Sequence, residues 1–107
     1  MPCVAVTELP DDAVLLDVRE HDEWTVGHAS AATHIPMGEL VERLDELPTD
    51  GTLFVVCRSG VRSAHVAAFL NANGWDAVNV DGGMQAWHAS GRELVADHPD
   101  RFGPRVL

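Results

Sequence analysis

The sequence predicts an α/β fold built on a parallel sheet with helices against it. Short apolar runs alternate along the chain with stretches of helical spacing. Two of the runs, residues 13–18 (AVLLDV) and 52–56 (TLFVV), are apolar at successive positions rather than at every second one. That is the pattern of strands buried on both faces, as in a parallel sheet. A third observation is the helical stretch at residues 63–73, which follows the second run after a short polar loop.

Residues 4–6 fit a short edge strand, and residues 13–18 the first buried one. Residues 20–26 fit a short helix stopped by Gly27, and residues 33–35 a brief strand ended by Pro36. Between Gly38 and Leu47, the spacing of Leu40, Val41, Leu44 and Leu47 with acids between them predicts a helix. Pro48 and Gly51 break the chain before the strand at 52–56, which is β-branched and aromatic. In the helix at 63–73, Ala64, Ala67, Ala68 and Leu70 supply the apolar side, and Asn73-Gly74 closes it. Residues 77–80 read as a further strand and 84–89 as a short helix. The tail from Val95 holds Pro99, Gly103 and Pro104 and reads as irregular. We expect residues 1–107 to form one domain, with its core over about 13–94 and the tail at 95–107.

The net charge is −10 and uneven: residues 1–50 hold twelve acids and two arginines, residues 51–107 five of each. There is no lysine. Such a chain repels phosphate backbones, which argues against nucleic acid as a partner. The acidic half reads first as a solvated surface, and second as a docking face for a basic protein. No apolar run is long enough to cross a bilayer. The first twelve residues lack the basic-then-apolar order of a secretion signal, so the expected location is the cytoplasm. The two cysteines, Cys3 and Cys57, do not make a disulfide framework. The histidines, His21, His28, His34, His65, His88 and His98, are scattered, with no zinc-ligand spacing, and no metal is expected.

The chemistry is concentrated in residues 54–64, FVVCRSGVRSA. A buried strand ends, Cys57 follows at once, and a short loop leads into a helix near Ser63. In open α/β sheets, ligands bind beyond the carboxyl ends of the strands. The first N–H groups of a helix lack intrahelical partners and favour an anion. The same field favours thiolate over thiol at Cys57. Arg58 and Arg62 flank the loop and add positive potential; their guanidinium groups suit an oxyanion, and for Arg62 that reading is preferred to a plain surface salt bridge. Gly60 lets the backbone turn closely about a bound ion. Ser63 is an N-cap type of residue, or its hydroxyl could help hold the anion; capping is the preferred role here. A buried inert cysteine is the plain alternative, but such a cysteine does not ordinarily sit among two arginines, a serine and a glycine at a strand end.

The segment CRSGVRS, residues 57–63, resembles the active-site loop of rhodanese domains. Asp17-Val18-Arg19-Glu20, Glu23 and Gly27-His28 resemble that family's first block, and His34-Ile35-Pro36 with Gly38-Glu39-Leu40 its next. Gly74-Trp75, Val78, Asp81-Gly82-Gly83-Met84 and Ala86-Trp87 resemble its closing block. The ordered set runs from about Val14 to Leu94. One departure is Ala29, where the family usually has a larger apolar residue. The resemblance implies a central, mainly parallel sheet of five strands. It implies a sulfurtransferase in which Cys57 is catalytic and takes sulfane sulfur from an anionic donor such as thiosulfate as a persulfide. A thiol or cyanide would then accept the sulfur, and a protein could serve as the acceptor. Arg58, Ser59, Gly60, Val61 and Arg62 would cradle the outer sulfur, with no metal or organic cofactor. Arg58, directly after the cysteine, fits an anionic donor.

Asp17, Arg19 and Glu23 read as a fold-stabilising polar network. Trp24, Trp75 and Trp87 read as packing residues and Cys3 as a bystander. The nearest enzymatic rival is a cysteine phosphatase. Those enzymes place five residues between cysteine and arginine, whereas four, Arg58 to Val61, separate Cys57 from Arg62 here. Two further rivals are a non-catalytic binding module on the same fold and a persulfide carrier that works only with a protein partner.

Overall fold

The computed structural model describes residues 3–97 and 101–107. Five strands form one sheet: β1 Cys3–Ala5, β2 Val14–Asp17, β3 Thr33–His34, β4 Thr52–Val56 and β5 Asp76–Asp81. Three α-helices connect or cover them: α1 His21–Val26, α2 Val61–Ala72 and α3 Gly83–Ala89. The strand order is β1-β5-β4-β2-β3, and every pairing is parallel.

The sheet is buried on both sides because its strands carry apolar residues of both parities. Leu16, Leu53, Val55, Cys57 and Ala77 join Val66, Ala67 and Leu70 of α2 and Leu40 and Leu47 on one face. Leu15, Val56 and Val80 join Val6, Leu9, Ala29, Met84 and Trp87 on the other. Successive residues of a strand point to opposite faces, so each run of apolar residues supplies both layers.

The order of the strands determines where a ligand can enter. From β2 the chain moves outward to β3, crosses back to β4, and then moves the other way to β5. The connections diverge between β2 and β4, and the crevice at their carboxyl ends is the switch point of the sheet. Cys57 follows β4 directly, and Arg19 and Glu20 follow β2. The two strand ends remain joined there, since Val18 N–H donates to the Val56 carbonyl at 3.0 Å.

Two expectations change. Residues 38–47 form no α-helix. They make two 3-10 helices, Met37–Glu39 and Val41–Glu46, with a break at Arg43 (φ −120°, ψ 19°). A 3-10 turn repeats every three residues, so Leu44 and Leu47 still reach the core together. The apolar spacing suits either helix. The second change is at α2, which begins at Val61 with Gly60 as its cap, so Ser63 lies inside the first turn and caps nothing. The described part of the tail is irregular, as expected, and it is docked. Val95 bridges His28, and Arg105 N–H donates to the Val26 carbonyl at 2.9 Å. His98 and Pro99 lie outside the described residues. No helix among the described residues is long and apolar enough to cross a membrane.

Candidate functional site

The site starts from the geometry of the loop. Gly60 adopts φ +101°, a region that side-chain-bearing residues avoid. That turn lets Gly60 N–H point back at Cys57 Sγ, 3.1 Å away. The Ser63 hydroxyl lies 3.3 Å from the same sulfur. The loop carbonyls face the other way. Cys57 C=O accepts from Met84 N–H at 2.7 Å, and Arg58 C=O from Gln85 N–H at 2.9 Å. The first turn of α3 thus holds the loop inside out, with acceptors outward and donors inward. Gly83 makes this possible: a Cβ there would fall on the carbonyls of Cys57 and Arg58.

Cys57 is buried. Burial pushes its thiol pKa up, but the Ser63 hydroxyl and the N–H groups of Ser63, Gly60 and Ser59 favour the anion and outweigh it. The pKa therefore falls below that of an ordinary cysteine. A thiolate in this cradle is a nucleophile with its charge already solvated by the protein. Cys3 is exposed and belongs to the edge strand β1, where it pairs with Asn79 of β5.

The remaining loop residues diverge. Ser59 is exposed and contributes its N–H. Val61 opens α2 with 64% of its surface exposed, an apolar residue on the rim. The Arg58 side chain turns to the tail and donates from Nε to the Leu107 carbonyl. Arg62 lies close enough to Cys57 to feel a thiolate there, but its guanidinium is held by Glu23. The pair is bidentate, Nη1 to Oε1 at 2.8 Å and Nη2 to Oε2 at 2.9 Å. Arg62 holds the Glu23 carboxyl below the usual range, against the opposing effect of burial. Glu23 also accepts from Glu20 N–H at 3.0 Å. The residue read only as part of the fold network therefore joins α1 to the site loop.

The Asp17–Arg19 network is present and fully buried. Arg19 Nη2 donates to Asp17 Oδ2 at 2.8 Å and to the Gly27 carbonyl at 2.7 Å, which fixes the end of α1 to the end of β2. Trp24 is stacked between His28 and His34, with ring centroids at 3.6 and 4.6 Å.

The sequence reading passed over Asn79. It is buried on β5, two residues before Asp81, and bonds both Ser63 and Gly60. The available signal was a lone amide in an apolar strand (AVNV), since a buried polar side chain requires partners.

Residues 5–90 match the family model described as a rhodanese-like domain. The chain belongs to the rhodanese-like domain family. It is 41% identical over 80 residues to the Bacillus subtilis protein YtwF, covering 75% of this chain and 78% of that one. It is 36% identical over 87 residues to a sulfurtransferase of Allochromatium vinosum, covering 80% and 81%. The crystal structure of a rhodanese-related protein from Thermoplasma volcanium superposes with a TM-score of 0.83 at 33% identity, over 89% of this chain and 98% of that one. The sheet described above is thus that of a rhodanese-like domain, and the cysteine loop lies within the matched residues.

Proposed function

We propose that this rhodanese-like chain is a sulfurtransferase that carries sulfane sulfur on Cys57, with thiosulfate as a donor and a thiol or cyanide as acceptor. The observation that supports it is the convergence of the Ser63 hydroxyl and of loop N–H groups on a buried sulfur. Such a cradle favours anionic sulfur and gives an inert core cysteine nothing.

In the first step the Cys57 thiolate attacks the outer sulfur of thiosulfate. A bond forms between Sγ and that sulfur, the S–S bond of the donor breaks, and sulfite leaves with the electron pair. The negative charge passes to the outer sulfur of the persulfide, which the N–H groups from Arg58 to Arg62 surround. In the second step the acceptor attacks the outer sulfur, the persulfide bond breaks, and the thiolate returns with its electron pair. The products are thiocyanate from cyanide, or a new persulfide from a thiol. Both displacements balance without a metal or an organic cofactor. Arg58, bonded through Nε to the Leu107 carbonyl, adds positive charge beside the loop for an anionic donor, and Arg62, neutralised by Glu23, braces the loop more than it attracts anions. The four-residue span from Arg58 to Val61 is too tight to wrap a phosphoryl group.

The test is the intact mass after thiosulfate, then after cyanide, beside Cys57→Ser. The expected result is a gain of one sulfur atom on the unsubstituted chain alone, removed by cyanide with release of thiocyanate. No gain on a folded chain with Cys57 reduced would overturn thiosulfate as donor. Sulfur uptake only from a persulfidated protein would transfer the reading to a partner-dependent carrier.

A further inference from the structure

Asn79 takes no part in the displacements above, yet it bonds two residues that also bond Cys57 Sγ, Gly60 through its carbonyl and Ser63 through its hydroxyl. It pairs with Val55 across β4 and β5, two residues before Cys57 on β4. Its Nδ2 donates to the Gly60 carbonyl at 3.1 Å, and its Oδ1 lies 2.5 Å from Ser63 Oγ.

These contacts define where the protons go. The Gly60 carbonyl only accepts, so the amide must turn Nδ2 towards it. Oδ1 is thereby turned to Ser63, and it too only accepts. A hydroxyl carries one proton. While Ser63 gives that proton to Asn79, only oxygen lone pairs face Sγ at 3.3 Å. That arrangement complements a Cys57 S–H, which then donates to Ser63. A thiolate needs the reverse, with the Ser63 proton on Sγ and Oδ1 left without it.

We propose that Asn79 is a positioning residue that gives the Ser63 proton two places, its own Oδ1 while Sγ is uncharged and Sγ while it is anionic. The inference rests on Cys57 as the nucleophile. Deprotonation sends the thiol proton to water and swings the Ser63 hydroxyl onto Sγ. When sulfur arrives, the charge moves to the outer atom, Sγ becomes neutral, and the hydroxyl returns to Asn79. When the acceptor attacks, the hydroxyl swings back and stabilises the departing thiolate. Asn79 thus makes the hydroxyl available only when charge is on the inner sulfur.

The test is a pH titration of the thiolate by its ultraviolet absorbance, in a Cys3→Ser background so that one thiol reports. Ser63→Ala is compared in two contexts, with Asn79 intact and with Asn79→Leu. Ser63→Ala is expected to raise the thiol pKa in both. The rise is expected to be larger in the Asn79→Leu context, by about half a pH unit or more, a roughly threefold change in the thiolate–thiol ratio. Without Asn79 the hydroxyl serves sulfur unopposed, so losing it removes more. Equal rises, or a smaller one in the Asn79→Leu context, would overturn the proposal. If the Asn79→Leu proteins do not fold, Asn79→Ala takes their place with the same reading. An independent measurement uses the infrared S–H stretch of Cys57 at low pH. It is expected to lie below that of a free thiol and to return towards it in Ser63→Ala; a stretch that Ser63→Ala does not move would also overturn the proposal. These readouts follow protonation and not turnover, so a chain that takes up no sulfur still answers them.

Discussion

Gly83 stands where any side chain would collide with the carbonyl oxygen of Cys57. Its backbone is also at φ +55°, in the left-handed region. Gly83→Ala therefore meets both a steric and a conformational penalty, and it displaces the Met84 and Gln85 N–H groups from the loop carbonyls. The left-handed backbone alone costs roughly 1–2 kcal/mol, and the lost bonds add about 1 kcal/mol each. Urea unfolding is expected to show destabilisation of about 2 kcal/mol or more, with slower alkylation of Cys57 in the protein that remains folded. An unfolding midpoint equal to that of the unsubstituted chain would contradict this account of the turn.

The depressed pKa of Cys57 has a direct kinetic signature. Burial raises it, but the Ser63 hydroxyl and the surrounding N–H groups lower it further than burial raises it. Alkylation by iodoacetamide in the Cys3→Ser background should rise with pH to a plateau whose midpoint lies below the ordinary cysteine value of about 8.5. Reactivity is lost as pH falls through the depressed pKa. A midpoint at or above the ordinary value would mean that the cradle fails to offset burial.

Arg19 and Asp17 are both fully buried, so neither charge is tolerable alone. Arg19→Met removes the countercharge of the buried Asp17 carboxylate, leaving it the backbone N–H of residue 19, and takes the side-chain donor from the Gly27 carbonyl. We expect a loss of about 3–5 kcal/mol by chemical unfolding. Replacing both residues, Asp17→Leu with Arg19→Met, should cost distinctly less than the single change. If the double variant is as unstable as the single one, burial of an unpaired charge is not the cause.

The Glu23–Arg62 pair is partly exposed, and pairs of that kind contribute about 1 kcal/mol or less. Glu23→Gln should lower stability by that amount at neutral pH. Because Arg62 depresses the carboxyl in the folded state, this contribution is fully present above the unfolded value of about 4.3. It disappears as pH falls through the lower folded value. Stability curves of the two proteins are expected to converge in that acidic range. Curves that stay parallel to the lowest pH would show that the pair contributes no pH-dependent stability.

The strands were legible because a sheet buried on both faces leaves uninterrupted apolar runs, and residues 52–56 are bounded in the fold as they are in the sequence. The place of Cys57, between a buried strand and a helix start, was legible because the apolar run ends at it and a glycine-containing loop follows. Local spacing was less informative over residues 38–47, where Leu40, Leu44 and Leu47 satisfy both helix types. The choice between the two readings of Ser63 was not legible, since a helix can begin two residues earlier on a left-handed glycine, which rules out the preferred capping role. Asn79 and the Arg62 partner were hidden for another reason. They reach the loop from β5 and α1, across 16 residues of separation from Ser63 in one case and 39 from Arg62 in the other. Nothing in a local window reveals such a meeting.

The sheet ends on its two shortest strands, three residues in β1 and two in β3. An open strand edge is a template on which another chain can add its own ladder. Here each margin offers a foothold too brief to register, and every copy carries the same net charge of −10. Molecules that meet margin to margin find little to grip and repel one another. Crowded solutions should therefore stay dispersed near neutral pH and begin to cluster as acid or salt removes that repulsion, a colloidal tolerance set jointly by the outline of the sheet and by the charge of its surface.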